Sequence, residues 1–331
     1  MSLTPSSKLI GTLFQPDTLA MKPTRDGYGT GLVEAGQADA NVVALCADLA
    51  ESTRSDGFAT AFPSRFFECG VAEQNMACVA AGLAVAGKIP FIASYAAFSP
   101  GRNWEQIRTT IAYNDANVKV MGHHAGISVG PDGATHQMTE DIALMRAMPN
   151  MTVVVPCDAE EARKAVRAAA HAVGPWYIRF AREKSPVFTS FATPFVPGKA
   201  QIFWEAHKPQ VALIACGTTV YACLEAARLL EREGIASTVV NCHTVKPLDD
   251  RKIGEVLRKC GAAVTAEEHQ VIGGLGGAVA ELAARTCPVP IEFVGMQGSF
   301  GESGTPGELM AKYGMDAVAV ARAAKKALSR K

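Results

Sequence analysis

Glu73 stands where a carboxylate could do chemistry or merely support a helix. It falls in the first turn of a helical pattern that follows a strand and Gly70, within FFECGVAEQNMACVAAGLAVAG (66–87). An acid at that place complements the positive end of the helix, worth about 0.3–1 kcal/mol. Glu68 precedes the turn, Gln74 and Asn75 follow it, and the Ala- and Gly-rich remainder permits close packing on a neighbouring backbone. Tyr95 and Phe98 lie three apart just beyond a strand, with Arg102 and Trp104 after them. Such a pair reads either as core or as a slot for a flat heterocycle, since ligands gather at the carboxyl ends of parallel strands. The loop from Gly122 to Gln137 carries four glycines, three histidines and Asp132 between a strand and a helix. A loop so long and polar inside a compact domain points to function. Its histidines form no HExxH pattern or zinc set, and His123 reads as a single surface histidine.

The elements that must position these residues alternate. Apolar strand-like runs at 42–47, 90–94, 118–121, 151–156 and 176–180 are separated by helical patterns near 72–86, 103–113, 138–147 and 158–172. That rhythm implies βαβ units and a parallel sheet covered on both faces. The stretch 185–200 holds three prolines and a glycine without period, as a linker does. Alternation then restarts, with strands at 211–216, 237–241, 262–268 and 291–295 and helices near 219–233, 250–259 and 275–286, before a C-terminal helix rich in Ala and Lys. The expected class is α/β with two doubly wound domains. The boundaries expected are an extension at 1–20, a first domain at 21–188, a linker at 189–205 and a smaller domain at 206–331.

Bulk composition fits this reading. Hydrophobic residues make up 48% of the 331 and charged residues 19%, a profile able to bury a sizeable core. Lys plus Arg equals Asp plus Glu at 32 each, which gives no electrostatic case for nucleic acid or an anionic membrane. Nine cysteines without a CxxC pair, several in apolar strands as at Cys46 and Cys216, favour a reducing cytoplasm over a disulfide framework. No secretory leader is read at the N-terminus, and the most apolar stretch, Met76 to Gly87, is too short to span a bilayer. The glycines of GGLGGAVAEL (273–282) mimic part of a dinucleotide fingerprint but lack the acidic residue about twenty positions on. Tight helix–strand packing accounts for them.

Together GVAEQNM (70–76), HHAGISVGPDGATHQ (123–137), KPLD (246–249) and EEHQVIGGLGGAVAE (267–281) resemble the transketolase family, thiamine-diphosphate enzymes that transfer two-carbon ketol units. The resemblance runs from about Arg25 to the C-terminus. It implies a thiamine-diphosphate pyrimidine-binding domain followed by the family's C-terminal domain. The family's diphosphate-binding domain carries Gly-Asp-Gly followed by Asn, which hold the bridging metal, and no Gly-Asp-Gly occurs here. The resemblance therefore implies the C-terminal half of a split transketolase. Its partner would be a separate diphosphate-binding subunit holding Mg²⁺ or Ca²⁺, the two assembling as an α2β2 heterotetramer, with no metal ligand expected in this chain.

The resemblance also implies roles. Glu73 is similar to the glutamate that protonates N1′ of the aminopyrimidine, which lets N4′ remove the thiazolium C2 proton. Tyr95 and Phe98 look like the aromatics that pack on the pyrimidine, with Gly101 where a third aromatic is often found. Asp48 matches an acidic residue at the cofactor-facing subunit contact. Asp132 and His136 match the pair that reaches the sugar's C2 hydroxyl and C1 oxygen, His136 on the catalytic side. Arg25, Ser52, His124 and Arg182 match positions that hold the distal phosphate, Arg182 being preferred to Arg179. The implied activity is ketol transfer from a ketose phosphate to an aldose phosphate in the pentose phosphate pathway. Three alternatives stay open: the β component of another thiamine-diphosphate enzyme, such as a 2-oxo acid dehydrogenase or a deoxyxylulose-phosphate synthase; a specialised ketol transferase acting on an unusual sugar phosphate; and a non-catalytic interaction subunit. The weak glycine match at 273–277 disfavours a dinucleotide-binding oxidoreductase.

Overall fold

Val42–Cys46 is a run of five buried apolar residues, rich in β-branched valine, and such a run suits a strand covered on both faces. In the computed structural model, which describes residues 2–331, this strand lies within a seven-stranded sheet. The order across the sheet is Thr244–Lys246, Thr152–Val154, Trp176–Arg179, Lys119–His123, Ile89–Tyr95, Val42–Cys46 and Phe66–Glu68. All neighbours are parallel except the first pair. From Val42–Cys46 the chain moves outward to Phe66–Glu68, then crosses back to Ile89–Tyr95 on the other side. The crevice beyond these carboxyl ends is a topological switch point, where doubly wound folds take ligands.

The second sheet has the order Ser2–Leu3, Gln201–Glu205, Ser237–Asn241, Val211–Ala215, Ala263–Gln270 and Ile291–Met296. Its last four strands are mutually parallel, whereas Ser2–Leu3 and Gln201–Glu205 are antiparallel. Both sheets are thus parallel-dominated and mixed, with antiparallel strands added at their margins. The N-terminal stretch, which carries no pattern, lies against the second sheet through Leu3, Leu9, Ile10, Leu13 and Phe14. Leu13 is fully buried there, and the Phe14 and Trp204 rings meet edge to face at 5.9 Å.

The two halves share one apolar core. Met145, Val153 and Val155 from the first sheet's layers pack in one cluster with Cys216, Cys242, Val245 and Leu275 from the second half. Burying Met145 or Leu275 contributes about 1.5–3 kcal/mol each. The strand Thr244–Lys246 belongs to the second half by position yet completes the first sheet.

Two local departures from the sequence pattern have physical causes. The helix Thr24–Ala38 carries no helical signature because four of its residues are glycines, each costing about 1 kcal/mol in a helix interior. Close approach requires two of them: a Cβ on Gly27 would lie 2.0 Å from the Ala159 carbonyl oxygen, and one on Gly31 2.8 Å from that of Arg163. The expected helix at 103–113 is a single α turn, Trp104–Gln106, followed by a π-helical stretch, Ile107–Ala112. Thr109 and Thr110 hydroxyls bond back to the carbonyls of Glu105 and Gln106, the competition with backbone pairing that distorts helices.

Candidate active site

The strand Phe66–Glu68 ends in a turn whose Gly70 has φ +67°, and the helix Glu73–Val85 begins three residues later. Met76, Ala77, Ala80 and Ala81 form its buried stripe, which fixes the helix on the sheet and drives Glu73 inward to 1% exposure. Arg102 Nη1 donates to Glu73 Oε2 at 2.7 Å, while Oε1 takes no hydrogen bond among the described residues. Asn103 Nδ2 donates to the Glu73 carbonyl at 3.1 Å and to Ser99 Oγ at 3.1 Å, tying the Tyr95–Asn103 turn to the helix start. Gly101 is required in that turn, because a Cβ would come within 2.1 Å of the Ala97 carbonyl oxygen. No aromatic side chain fits there.

Beyond the ends of Ile89–Tyr95 and Lys119–His123 the rings converge. Tyr95 and Phe98 are near parallel at 5.9 Å and 19°. His124 stacks on Tyr95 at 3.8 Å, and His136 stands edge-on to Phe98 at 5.5 Å. Arg102 lies 4.7 Å over the Phe98 ring, so the guanidinium that meets Glu73 also borders the aromatic pair. His136 Nδ1 is 2.9 Å from Thr135 Oγ1. Glu73, Tyr95, Phe98, His124 and His136 are therefore brought together through Arg102 and the rings.

A second group adjoins this one. Arg25 Nη1 donates to the Ser52 carbonyl at 2.8 Å and lies 3.4 Å from His124 Nε2. Arg182 Nη1 donates to Asp132 Oδ1 at 3.0 Å and to the Val129 carbonyl at 2.8 Å. Arg25 and Arg182 line a cleft of about 800 Å³ with Arg54, Lys184 and the segment Ser303–Pro306 of the second half. Burial, followed by repulsion from Arg54, draws the Arg25 pKa down, with Asp26 opposing. Burial, reinforced by Arg25 and Arg182, lowers the His124 pKa to about 3, so its ring is neutral. Arg25 Nε and His124 Nδ1 are buried without a partner among the described residues. Asp26, Glu183 and Glu308 line the same cleft, so its three guanidiniums and Lys184 leave only a small positive excess, which suits a compact anion that accepts several hydrogen bonds.

Asp48 is not part of either group's contacts. It is exposed after Val42–Cys46 with φ 58°, its amide donating to Glu68 Oε1 at 2.7 Å. His123 corrects a sequence expectation: it is fully buried and not a surface histidine. Its ring lies between Tyr28 and Phe180, at 4.7 and 4.8 Å, because it occupies the inward position at the end of a covered strand. Burial holds its pKa well below the usual value. Arg179 is buried in an ion pair with Asp141 at 2.8 Å, while Arg182 reaches the cleft.

Contacts from the second half escaped sequence reasoning. Glu268 Oε1 accepts from the Ser128 amide at 2.6 Å, and Gln137 Nε2 donates to the Glu302 carbonyl at 2.8 Å. The available signal was a pair of glutamates inside AVTAEEHQ, a strand buried nearly throughout. The neighbouring Glu267 accounts for the dinucleotide-like glycines. Its carboxylate takes the amides of Leu275 and Gly276 at 2.7 and 2.8 Å, filling the helix N-terminus where a phosphate would sit. A Cβ on Gly274 would fall 2.1 Å from that carboxylate. Among the described residues no three His, Cys, Asp or Glu side chains converge as a metal needs, and no helix is long and apolar enough to cross a membrane.

Known proteins match this architecture. Residues 20–187 match the transketolase pyrimidine-binding domain and residues 198–320 the transketolase C-terminal domain. A putative transketolase C-terminal section from Methanocaldococcus jannaschii is 43% identical over 305 residues, 91% of this chain and 95% of that protein. The 6-deoxy-6-sulfo-D-fructose transketolase subunit SqwH of a Clostridium species is 41% identical, again over 95% of its length. Rat transketolase is 35% identical over 91% of this chain but only 48% of its own. Among solved structures, a split-gene transketolase described as an inactive β4 tetramer superposes with a TM-score of 0.87 at 48% identity, covering 93% of this chain and 99% of that one.

Proposed function

The chain belongs to the transketolase family, and from that premise we propose that it is the C-terminal subunit of a thiamine-diphosphate-dependent split transketolase. It acts with a diphosphate-binding partner subunit to move a two-carbon ketol unit from a ketose phosphate to an aldose phosphate. The observation that carries this reading is the buried Glu73 carboxylate beside the Tyr95–Phe98 ring pair at the switch point. The split arrangement is supported by relatives that are themselves C-terminal sections or subunits and are covered over 95% of their length.

The residues fit the cofactor's aminopyrimidine end. A buried carboxyl with one oxygen uncommitted suits a charge-assisted hydrogen bond to a ring nitrogen, and flat aromatic faces suit a flat heterocycle. When bound, thiamine diphosphate supplies the carbon nucleophile that carries the ketol unit. Glu73 holds the proton for the ring nitrogen N1′. Tyr95 and Phe98 keep water from that ring, and Asp48 faces the cofactor-bearing partner. The Mg²⁺ or Ca²⁺ and the diphosphate fall to the partner subunit.

For the sugar, Asp132 and His136 meet the hydroxyl and carbonyl oxygens at the reacting end. Arg25, Ser52, His124 and Arg182 hold the distal phosphate. Neutral His124 can accept from Arg25 or donate to phosphate, so it adds a hydrogen bond without a further charge. The outward face of the Glu73–Val85 helix, with Val79 and Val85 exposed, and Phe67 exposed on the edge strand supply apolar surface for subunit contact in an α2β2 assembly. We place the enzyme in the cytoplasm and in pentose phosphate metabolism.

The test is reconstitution with a partner bearing Gly-Asp-Gly and Asn. Ketol transfer from xylulose 5-phosphate to ribose 5-phosphate is expected only with both chains, thiamine diphosphate and Mg²⁺. Full activity from this chain alone would sink the split-subunit reading.

A further inference from the structure

We propose that Glu268, on the second half's strand Ala263–Gln270, is a positioning residue that sets the loop bearing Asp132 and His136. The inference rests on the proposed function for what that loop does, but its geometry stands apart. The loop contains three glycines in the left-handed region: Gly126 at φ 91°, Gly130 at 76° and Gly133 at 74°. Glycine admits many conformations, so a loop built this way needs outside contacts to hold one.

Glu268 supplies the central contact. Its carboxylate accepts the Ser128 amide at 2.6 Å through Oε1 and the Thr218 hydroxyl at 3.1 Å through Oε2. Its carbonyl accepts Arg179 Nη2 at 2.7 Å, which fixes the strand beneath the loop. The carboxylate sits directly under the loop: a Cβ on Gly126 would lie 2.3 Å from Oε1. Among the described residues no cation hydrogen-bonds this buried carboxylate, so the Ser128 amide and the Thr218 hydroxyl share its solvation within the protein.

The second half adds further contacts to those that Arg182 and Phe98 make with Val129, Asp132 and His136. Gln137 Nε2 bridges the loop carbonyls of Ile127 and Gly130 to that of Glu302. Gly130 abuts Gly304 and Pro306, and Gly133 abuts Ser303. The second half, which lends little to the aromatic site, thereby shares with Arg182 and Phe98 in setting where Asp132 and His136 stand.

Glu268→Ala and Glu268→Gln in the full chain test this. Hydrogen exchange by mass spectrometry should show the amides of 126–137 exchanging at least about tenfold faster in Glu268→Ala, with the strand Val42–Cys46 unchanged. In the reconstituted complex, kcat/KM for the ketose phosphate should fall at least about tenfold while thiamine-diphosphate affinity is unaltered. Glu268→Gln, which keeps an acceptor for Ser128, should return both readouts to within about threefold of the parent. Unchanged loop exchange in Glu268→Ala, or loss of cofactor affinity in parallel with kcat/KM, overturns the inference. If Glu268→Ala does not fold, Thr218→Val carries the test: faster exchange confined to 126–137 supports the inference and unchanged exchange overturns it. A parent complex without ketol transfer would overturn the function instead, and loop exchange alone would then decide whether Glu268 is the anchor.

Discussion

Arg102 meets Glu73 at 2.7 Å from opposite conditions: the guanidinium side chain is 48% exposed and the carboxylate 1%. The pair thus joins solvent to a buried acid. The attraction is weakened on the arginine side by water, but the carboxylate has given up its own hydration and depends on the contact.

Removing the arginine should expose that dependence. Arg102→Met keeps the bulk over Phe98 but leaves Glu73 without its ion-pair partner. We expect a loss of about 1–2 kcal/mol in urea unfolding at neutral pH. A midpoint identical to the parent's would mean that the contact contributes nothing.

Removing the acid has a different signature. Glu73→Ala should fold, because helix packing rests on Met76, Ala77, Ala80 and Ala81, while turnover in the reconstituted complex falls at least about 10²-fold. Circular dichroism and ketol transfer measured side by side check this. Parental turnover would remove Glu73 from the chemistry.

His124 should not titrate in the physiological range. Its pKa of about 3, against an ordinary 6.5, follows first from burial and then from Arg25 and Arg182. A base whose folded pKa is depressed contributes stability that is present above pH 6.5 and lost as pH falls toward 3. Nitrogen chemical shifts of the labelled ring should stay flat from pH 8 to 5, and a midpoint near 6.5 would contradict the geometry.

Glu161 should give the opposite slope. Burial raises its pKa from 4.5 to about 7, although the Cys157 amide and Asn241 Nδ2 both donate to it at 2.7 Å. Between pH 4.5 and 7 the unfolded chain ionises while the folded chain keeps the proton, so stability declines as pH rises through that window. The group's share is on the order of 2–3 kcal/mol at neutral pH. Glu161→Gln, with Asn241 free to turn its amide, should flatten that decline. Parallel slopes for variant and parent would assign the pH dependence elsewhere.

How much could be read in advance follows from how far apart the interacting residues lie. Glu73, Tyr95 and Phe98 each sit just beyond an apolar strand run, and the doubly wound pattern carries such positions to one edge. Their convergence was therefore legible. The Ser128–Glu268 contact joins residues 140 apart, and nothing local in either segment names the other. His123 was misjudged because a polar type in a glycine-rich loop says little about depth, which here depends on Tyr28 and Phe180. The helix Thr24–Ala38 stayed hidden because its glycines answer to a neighbouring helix and not to propensity.

The short strand Thr244–Lys246 makes the two halves inseparable in a practical sense. It caps the margin of the first sheet by pairing with Thr152–Val154. A protein truncated in the irregular stretch before residue 201 would leave that margin as a bare row of amides and carbonyls, a template for intermolecular pairing. Proteolytic nicking there should leave the fragments associated, and forced separation should yield aggregates of the first fragment.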